Sequence, residues 1–266
     1  MTDTLDPLRD PRLGFIGVGA IAEATLVGLI QSGCEWSIRI SRRNEQRSQA
    51  LTQRFANVVA DPENQSIVDH SDWIFLSVLP PQAREVLSAI ELRPEQRLIS
   101  LVAGITLAEL STLAPGVQSI QRMIPLPPIE RGVGPLPVCP PCADLESLFA
   151  NCANVMGIDD ESLFSVFSAA SGLMAAHHFF VWKVAEWMSQ QGVKPEDATA
   201  YSSHMFAALA EIECHTPADQ LPGLADACTT AGGLNEQALQ ELREFGWFQA
   251  AQNRLDGLFD RLNNGL

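Results

Sequence analysis

At 266 residues with 46% apolar side chains, the chain has enough material for a real core and for two modest domains. Its formal charge of −15, from 17 basic against 32 acidic residues, argues against nucleic acid or an anionic membrane as a partner, because both would repel it. The charge is uneven: residues 1–131 carry 12 of the arginines and a net −3, residues 132–266 a net −12. Either an anionic ligand sits on the first half, or the second half is simply a solvated acidic surface.

The opening "MTDTLDPLRDPR" reads as a polar tail, residues 1–12, rather than a signal peptide. Apolar runs then alternate with helical periodicity. "LGFIG" (13–17) is a strand, 20–32 a helix stopped by Gly33, "WSIRI" (36–40) a strand, 43–55 a helix and "NVVA" (57–60) a third strand. "DWIFLSVLP" (72–80) has the continuous apolarity of a central parallel strand, followed by a helix over 82–90 and the strand "RLISLVAG" (97–104). Thr106 with Glu109 forms a capping box for a helix over 107–114, and "VQSIQRM" (117–123) is a sixth strand. This alternation predicts an α/β, Rossmann-type, doubly wound parallel sheet.

After the proline-rich turn 124–141 the strand signals stop, and helices are expected at 144–155, 161–190, 196–213, 235–244 and 247–262. The predicted domains are therefore a sheet domain over 13–140 and an all-α domain over 141–266. Ser162–Trp182 contains no charged residue, which is long enough for a membrane span. Its four serines and two histidines fit better a helix buried in protein, with partners from a second subunit, and no membrane. Six scattered cysteines are too few for a disulfide scaffold and suit a reducing, cytoplasmic compartment. Cys139-Pro-Pro-Cys142 has no second ligand pair, so no metal site is expected.

Gly17-Val-Gly19-Ala20-Ile21-Ala22 follows a strand and opens a helix, as in the G-x-G-x-x-A dinucleotide fingerprint. Gly17 permits the tight turn, Gly19 leaves room for a diphosphate, and Ala22 lets the helix approach the sheet. The end of the second strand reads Ser41-Arg42-Arg43, with no carboxylate for a ribose hydroxyl. A hydroxyl and two guanidiniums suit the 2′-phosphate of NADP(H).

In order and spacing, "LGFIGVGAIAEATLVGLIQSG", "SDWIFLSVLPPQ", "LISLVAGITLAEL", "QRMIPLPPIERGVG" and "TTAGGLNEQALQELREFGWFQAA" resemble pyrroline-5-carboxylate reductase, across roughly 13–260. The resemblance implies an NADP-binding Rossmann domain and a helical domain that interlocks with a partner chain, giving a homodimer or an assembly of dimers. It maps cofactor contacts onto Gly17, Gly19, Ala20, Ile21, Ser41, Arg42, Arg43, Val78, Leu79, Pro80, Ala103 and Gly104. Departures fall on the substrate side. The family's methionine-proline-asparagine-threonine-proline run is Ile124-Pro-Leu126-Pro127-Pro128 here, its lysine before Pro80 is Leu79, and two hydroxyl residues after the glycine pair are Leu234 and Asn235.

Reduction of a protonated C=N carbon requires positioning more than a triad or a metal. The substrate expected from the resemblance is a small imino acid. Amides at Gly232 and Gly233 are candidates to hold its carboxylate, with Asn235 and Ser171 as candidate catalytic hydrogen-bonding groups. Without the resemblance, the glycine pair is equally well a plain helix start capped by Asn235. Two rivals stand beside this reading. One is a 3-hydroxy-acid-dehydrogenase-like enzyme acting on a keto acid, with Lys183 as proton donor. The other is an NADP-binding homologue without catalysis.

Overall fold

The computed structural model describes residues 10–264; most of the expected tail, residues 1–9, lies outside them. Residues up to Ser168 form one compact unit and Ala169–Asn264 a second.

In the first unit the six expected strands are Leu13–Ile16 (β1), Ile38–Ser41 (β2), Val58–Asp61 (β3), Trp73–Leu76 (β4), Arg97–Ser100 (β5) and Ser119–Met123 (β6). They lie parallel in the order β3-β2-β1-β4-β5-β6. The connecting helices are α1 (Ala20–Gln31), α2 (Glu45–Arg54), α3 (Asn64–Asp69), α4 (Pro80–Ser88) and α5 (Leu107–Leu113). The short α3 was not expected from the sequence.

The sheet does not end at the proline-rich segment, as the sequence suggested. Pro135–Cys139 (β7) runs antiparallel to β6, and Asn154–Gly157 (β8) lies parallel to β7, joined by α6 (Ala143–Phe149). Prolines hid β7 because they cannot donate to a ladder. Pro137 instead accepts, its carbonyl taking the Ile124 N–H at 3.1 Å. The helix expected over 144–155 is thus half helix and half strand, and the sheet unit runs on to Ser168 instead of stopping at 140.

Period-2 alternation explains the core. Leu13, Phe15, Trp73, Phe75 and Ile99 point to one face of the sheet, packing with Leu26, Ile38 and Phe149. Ile16, Ile74, Leu76 and Leu98 point to the other, packing with Ile67, Leu87 and Leu110. Phe15 and Phe75 stack at 4.6 Å in the middle of the parallel sheet. Each fully buried side chain of this size contributes about 1.5–3 kcal/mol. Burial also pushes the thiol of Cys152 up to about 11, so it stays protonated at neutral pH.

The boundary helix α7 (Phe164–Ser171) ends at Gly172–Leu173, so the long helix expected over 161–190 is broken there. In the second unit follow α8 (Met174–Gln190), α9 (Pro195–Cys214), α10 (Leu224–Ala227), α11 (Leu234–Glu244) and α12 (Trp247–Asn263). A side chain on Gly172 would strike Leu258 of α12, 2.6 Å from its Cδ1. By length and composition, 161–190 is apolar enough to cross a membrane. The side chains buried in this unit are small, namely Ala169, Ala185, Ala198 and Ser202, while Phe179, Trp182, Trp187, Tyr201, Ile212 and Phe245 are exposed. A single copy of this unit has no core of large apolar side chains.

Candidate active site

The turn after β1 builds the site. Gly17 sits at φ +90°, and a Cβ there would lie 2.5 Å from the carbonyl oxygen of Ser77, so both conformation and space demand glycine. Gly19 is the N-cap of α1, and a Cβ on it would meet nothing within 4 Å. α1 has no side-chain cap, so its first amides are left for a ligand. Ala22, 1% exposed, seats the helix against the sheet.

In front of this turn lies a cavity of about 580 Å³, along the carboxyl ends of β1, β2, β4, β5 and β6. It spans the point where strand order reverses, between β1 and β4, which is where open α/β sheets bind ligands. Nine expected cofactor contacts line it: Gly17, Gly19, Ala20, Ile21, Arg43, Val78, Leu79, Pro80 and Ala103. Three do not. Ser41 is 4% exposed, and its hydroxyl accepts the Gly17 N–H at 3.0 Å, so it fastens the turn and does not face a ligand. Arg42 points to a separate groove over α2, beside Glu45, Ser48, Gln49 and Thr52. Gly104, at φ +76°, lies just behind the wall and shapes the turn after Ala103.

The wall also holds groups the sequence reading missed: Asn44, which caps α2 by accepting the Arg47 N–H at 3.2 Å, and Arg122, Phe164 and Ser168 at the β6 end. Arg122 was legible only as a strand residue; nothing in its spacing marked it. Two arginines and no Asp or Glu line the cavity, in a chain of net charge −15. Arg122 is ion-paired with Glu161 at 2.7 Å, and many of the other first-half arginines are neutralised too, through Arg12–Asp72, Arg39–Asp61, Arg84–Glu109, Arg93–Glu95 and Arg97–Asp144. Among the described residues, neither Arg42 nor Arg43 has an ion-pair partner.

In the helical unit, the glycine pair is not an open nest. The Gly232 N–H donates to the Glu236 carboxylate at 2.7 Å, and the Gly233 N–H to the Thr230 carbonyl at 2.8 Å. Glu236, in the first turn of α11, reaches back as in a capping box displaced by one residue. Asn235 donates from its side-chain amide to the Cys228 carbonyl at 2.9 Å, and Ser171 is the half-buried last residue of α7. Lys183 is ion-paired with Glu186 and lies 4.9 Å from the Trp182 ring centre. The adjacent His177 and His178, which helical geometry sets about 100° apart, both line the groove between α8 and α9, with ring centres 5.7 Å apart.

Two family models match the chain. One, described as NADP oxidoreductase coenzyme F420-dependent, covers residues 12–104; the other, pyrroline-5-carboxylate reductase dimerisation, covers 161–263. The pyrroline-5-carboxylate reductase of Haemophilus influenzae is 27% identical over 240 residues, covering 85% of this chain and 87% of that one. The 1-pyrroline-5-carboxylate reductase structure from Streptococcus pyogenes superimposes with a TM-score of 0.83 at 22% identity, covering 96% of this chain and 99% of that one. A Plasmodium falciparum pyrroline carboxylate reductase with NADP bound gives 0.80 at 19% identity, covering 95% and 97%. Sheet, helical domain and sequence agree along the length of the molecule: the chain carries a pyrroline-5-carboxylate reductase dimerisation domain behind a dinucleotide-binding type of sheet, and is similar to pyrroline-5-carboxylate reductases over most of its length.

Proposed function

We propose that the chain is an NADP(H)-dependent oxidoreductase that reduces the C=N carbon of a small cyclic imino acid. The observation that carries this reading is the cavity over the strand-order reversal, lined by arginines and free of carboxylates in an acidic protein. Its residues fit the cofactor. The open space at Gly19 and the uncapped α1 suit a diphosphate, and Arg43 with Asn44 suits a 2′-phosphate. The cofactor, when bound, supplies a hydride. The chain's own part is to hold both reactants and exclude water: Val102, Ala103, Ile124 and Phe164 make the β5–β6 end of the cavity largely apolar. The reductase activity for which the relatives are named supports this class of reaction.

Assembly as a homodimer, or as several dimers, covers the exposed Phe179, Trp182, Trp187 and Tyr201, and the dimerisation model over 161–263 supports it. The same copies would then provide the buried surroundings that the uncharged stretch 162–182 calls for. A reducing, cytoplasmic setting suits the six free thiols.

NADPH oxidation with a panel of cyclic imines and 3-keto acids tests the reading. Imines are expected to turn over and keto acids not, with Lys183→Ala keeping imine turnover within twofold. Keto-acid turnover abolished by that change would establish the ketone reading, and NADPH binding with no turnover on any of them the non-catalytic one. A companion measurement concerns Gly19→Val. Its side chain enters open space, so stability should fall by no more than about 1 kcal/mol, the range for changing an N-cap. NADPH affinity, by calorimetry, should fall at least about tenfold, or about 1.4 kcal/mol.

A further inference from the structure

α8 carries a turn that its own chain leaves open. Ala175, Ala176, His177, His178, Phe179 and Phe180 are all exposed in a single copy. Six consecutive residues go round an α-helix more than once, so no side of this turn is fully covered. Beside it runs the groove between α8 and α9, a space of about 500 Å³ lined by His177, His178, Trp182, Thr199, Ser203 and Phe206 among others. Among the described residues no Asp, Glu, Lys or Arg lines it, although residues 132–266 carry a net −12. The ions of α8 itself, Lys183 and Glu186, are paired with each other. α9 and α12 bring Phe206 and Trp247 against Phe180, at ring-centre distances of 5.5 and 5.3 Å. None of the ionisable side chains of α9 lines the groove, and those of α12 begin only at Arg254. The two histidines are also unlike the others. His70, His204 and His215 each bond the carbonyl four positions back. Neither His177 nor His178 has a hydrogen bond among the described residues; their rings meet each other at 5.7 Å, and His177 meets Phe206 at 6.1 Å.

A second copy of the chain fits this face. The unit buries only small side chains of its own, and the dimerisation model spans it over 161–263. A two-fold contact presents the same patch from both sides, so the exposed Phe179 and Trp182 of each copy have the other's groove to fill. Such a contact takes His177 and His178 out of water. Burial among apolar groups disfavours the charged form of an imidazole, and two imidazoles this close disfavour a second charge further. An imidazole in water takes up its proton near pH 6.5. The separated copies therefore bind more protons than the dimer, and association weakens as pH falls. The overall charge acts in the opposite direction, because acid reduces the net −15 and with it the repulsion between copies.

Resting on the homodimer reading, we propose that the α8–α9 groove seats the Phe179 and Trp182 face of a second copy and closes only over neutral His177 and His178, so that the dimer opens in mild acid. The test uses the full chain at constant ionic strength. Sedimentation gives its state at pH 7.5, and exchange between two differently labelled preparations gives the dissociation rate however tight the dimer is. Each ring that must stay neutral costs about tenfold at one pH unit below 6.5. Exchange is therefore expected to quicken at least about tenfold between pH 7.5 and 5.5, with the far-UV circular dichroism unchanged. A smaller rise, or slower exchange in acid, overturns the proposal. In His177→Gln/His178→Gln, whose side chains are neutral at both pH values, the rise should fall below threefold. A rise as large as that of the unaltered chain overturns the proposal by showing that other groups cause it. Should the double change fail to fold, His178→Gln takes its place and should cut the rise at least threefold; an undiminished rise counts against the proposal in the same way. If the unaltered chain is a monomer at pH 7.5, the homodimer reading fails and takes this one with it. If it is a dimer whose exchange ignores pH, this proposal alone fails.

Discussion

Arg43→Ala is expected to weaken NADPH binding about 10–100-fold while changing NADH binding less than about threefold, because a charge-assisted hydrogen bond contributes about 1.5–3 kcal/mol. The sequence offered Ser41, Arg42 and Arg43 as one phosphate-binding group, and the structure separates them. Ser41 is buried under the glycine turn, Arg42 faces the groove over α2, and only Arg43 reaches the cavity. Asn44 beside it holds the start of α2, whose N-terminal dipole end adds to the attraction for a phosphate. β2 ends on Ser41 with no carboxylate, so nothing in this corner favours a free 2′-hydroxyl over a 2′-phosphate. Arg42→Ala should change either affinity less than threefold. Calorimetric titration of both nucleotides into the three proteins decides the matter; equal losses for NADPH and NADH in Arg43→Ala would refute the assignment. Arg43 is exposed, so the NADPH advantage should also shrink as ionic strength rises.

The parallel sheet was readable because its strands are apolar runs separated by helical periods, and fully buried strands such as Trp73–Leu76 leave that mark whatever they pack against. The same rule failed at Pro135–Cys139. There the strand carries two prolines, and its hydrogen bonding relies on carbonyls that no residue-type pattern displays. Thr106 was read correctly as a cap, accepting the Glu109 N–H at 3.2 Å; the carboxylate of Glu109 turns instead to Arg84, a partner 25 positions away. Within the candidate site the glycine turn was legible, since a short motif fixes it locally. Arg122 was not. Its part depends on a cavity formed by five strand ends and on Glu161, which lies 39 positions further along. The taken state of the Gly232 and Gly233 amides was equally hidden, because a glycine pair signals room but not whether a neighbouring carboxylate fills it.

Gly28→Ala is expected to destabilise the protein by about 3 kcal/mol and lower its Tm by about 6–12 °C. From the sequence, Gly28 is one more small residue in a helix whose apolar periodicity continues around it. In the structure α1 is buried on nearly every side: Ala22, Ala24, Thr25, Leu26, Val27, Gly28 and Leu29 are all covered. One of its covers is the 3-10 turn Pro127–Arg131, and a Cβ on Gly28 would overlap the carbonyl oxygen of Ile129. That atom belongs to the backbone and cannot rotate away, so either the helix or the turn must move. Alanine's better helix propensity, about 1 kcal/mol, offsets only part of this. The turn begins two residues after Pro125, and Ile124 and Pro125 form the cavity wall beside Arg122, so its displacement should raise KM as well as lower Tm. Thermal unfolding beside Gly19→Val gives the sharpest contrast, since the two glycines lie nine positions apart at the two ends of the same packed segment. Gly19→Val should lose the cofactor and keep its Tm within a few degrees. Gly28→Ala should lose Tm first, and an unchanged Tm would mean that α1 and the turn do not pack as closely as the backbone places them.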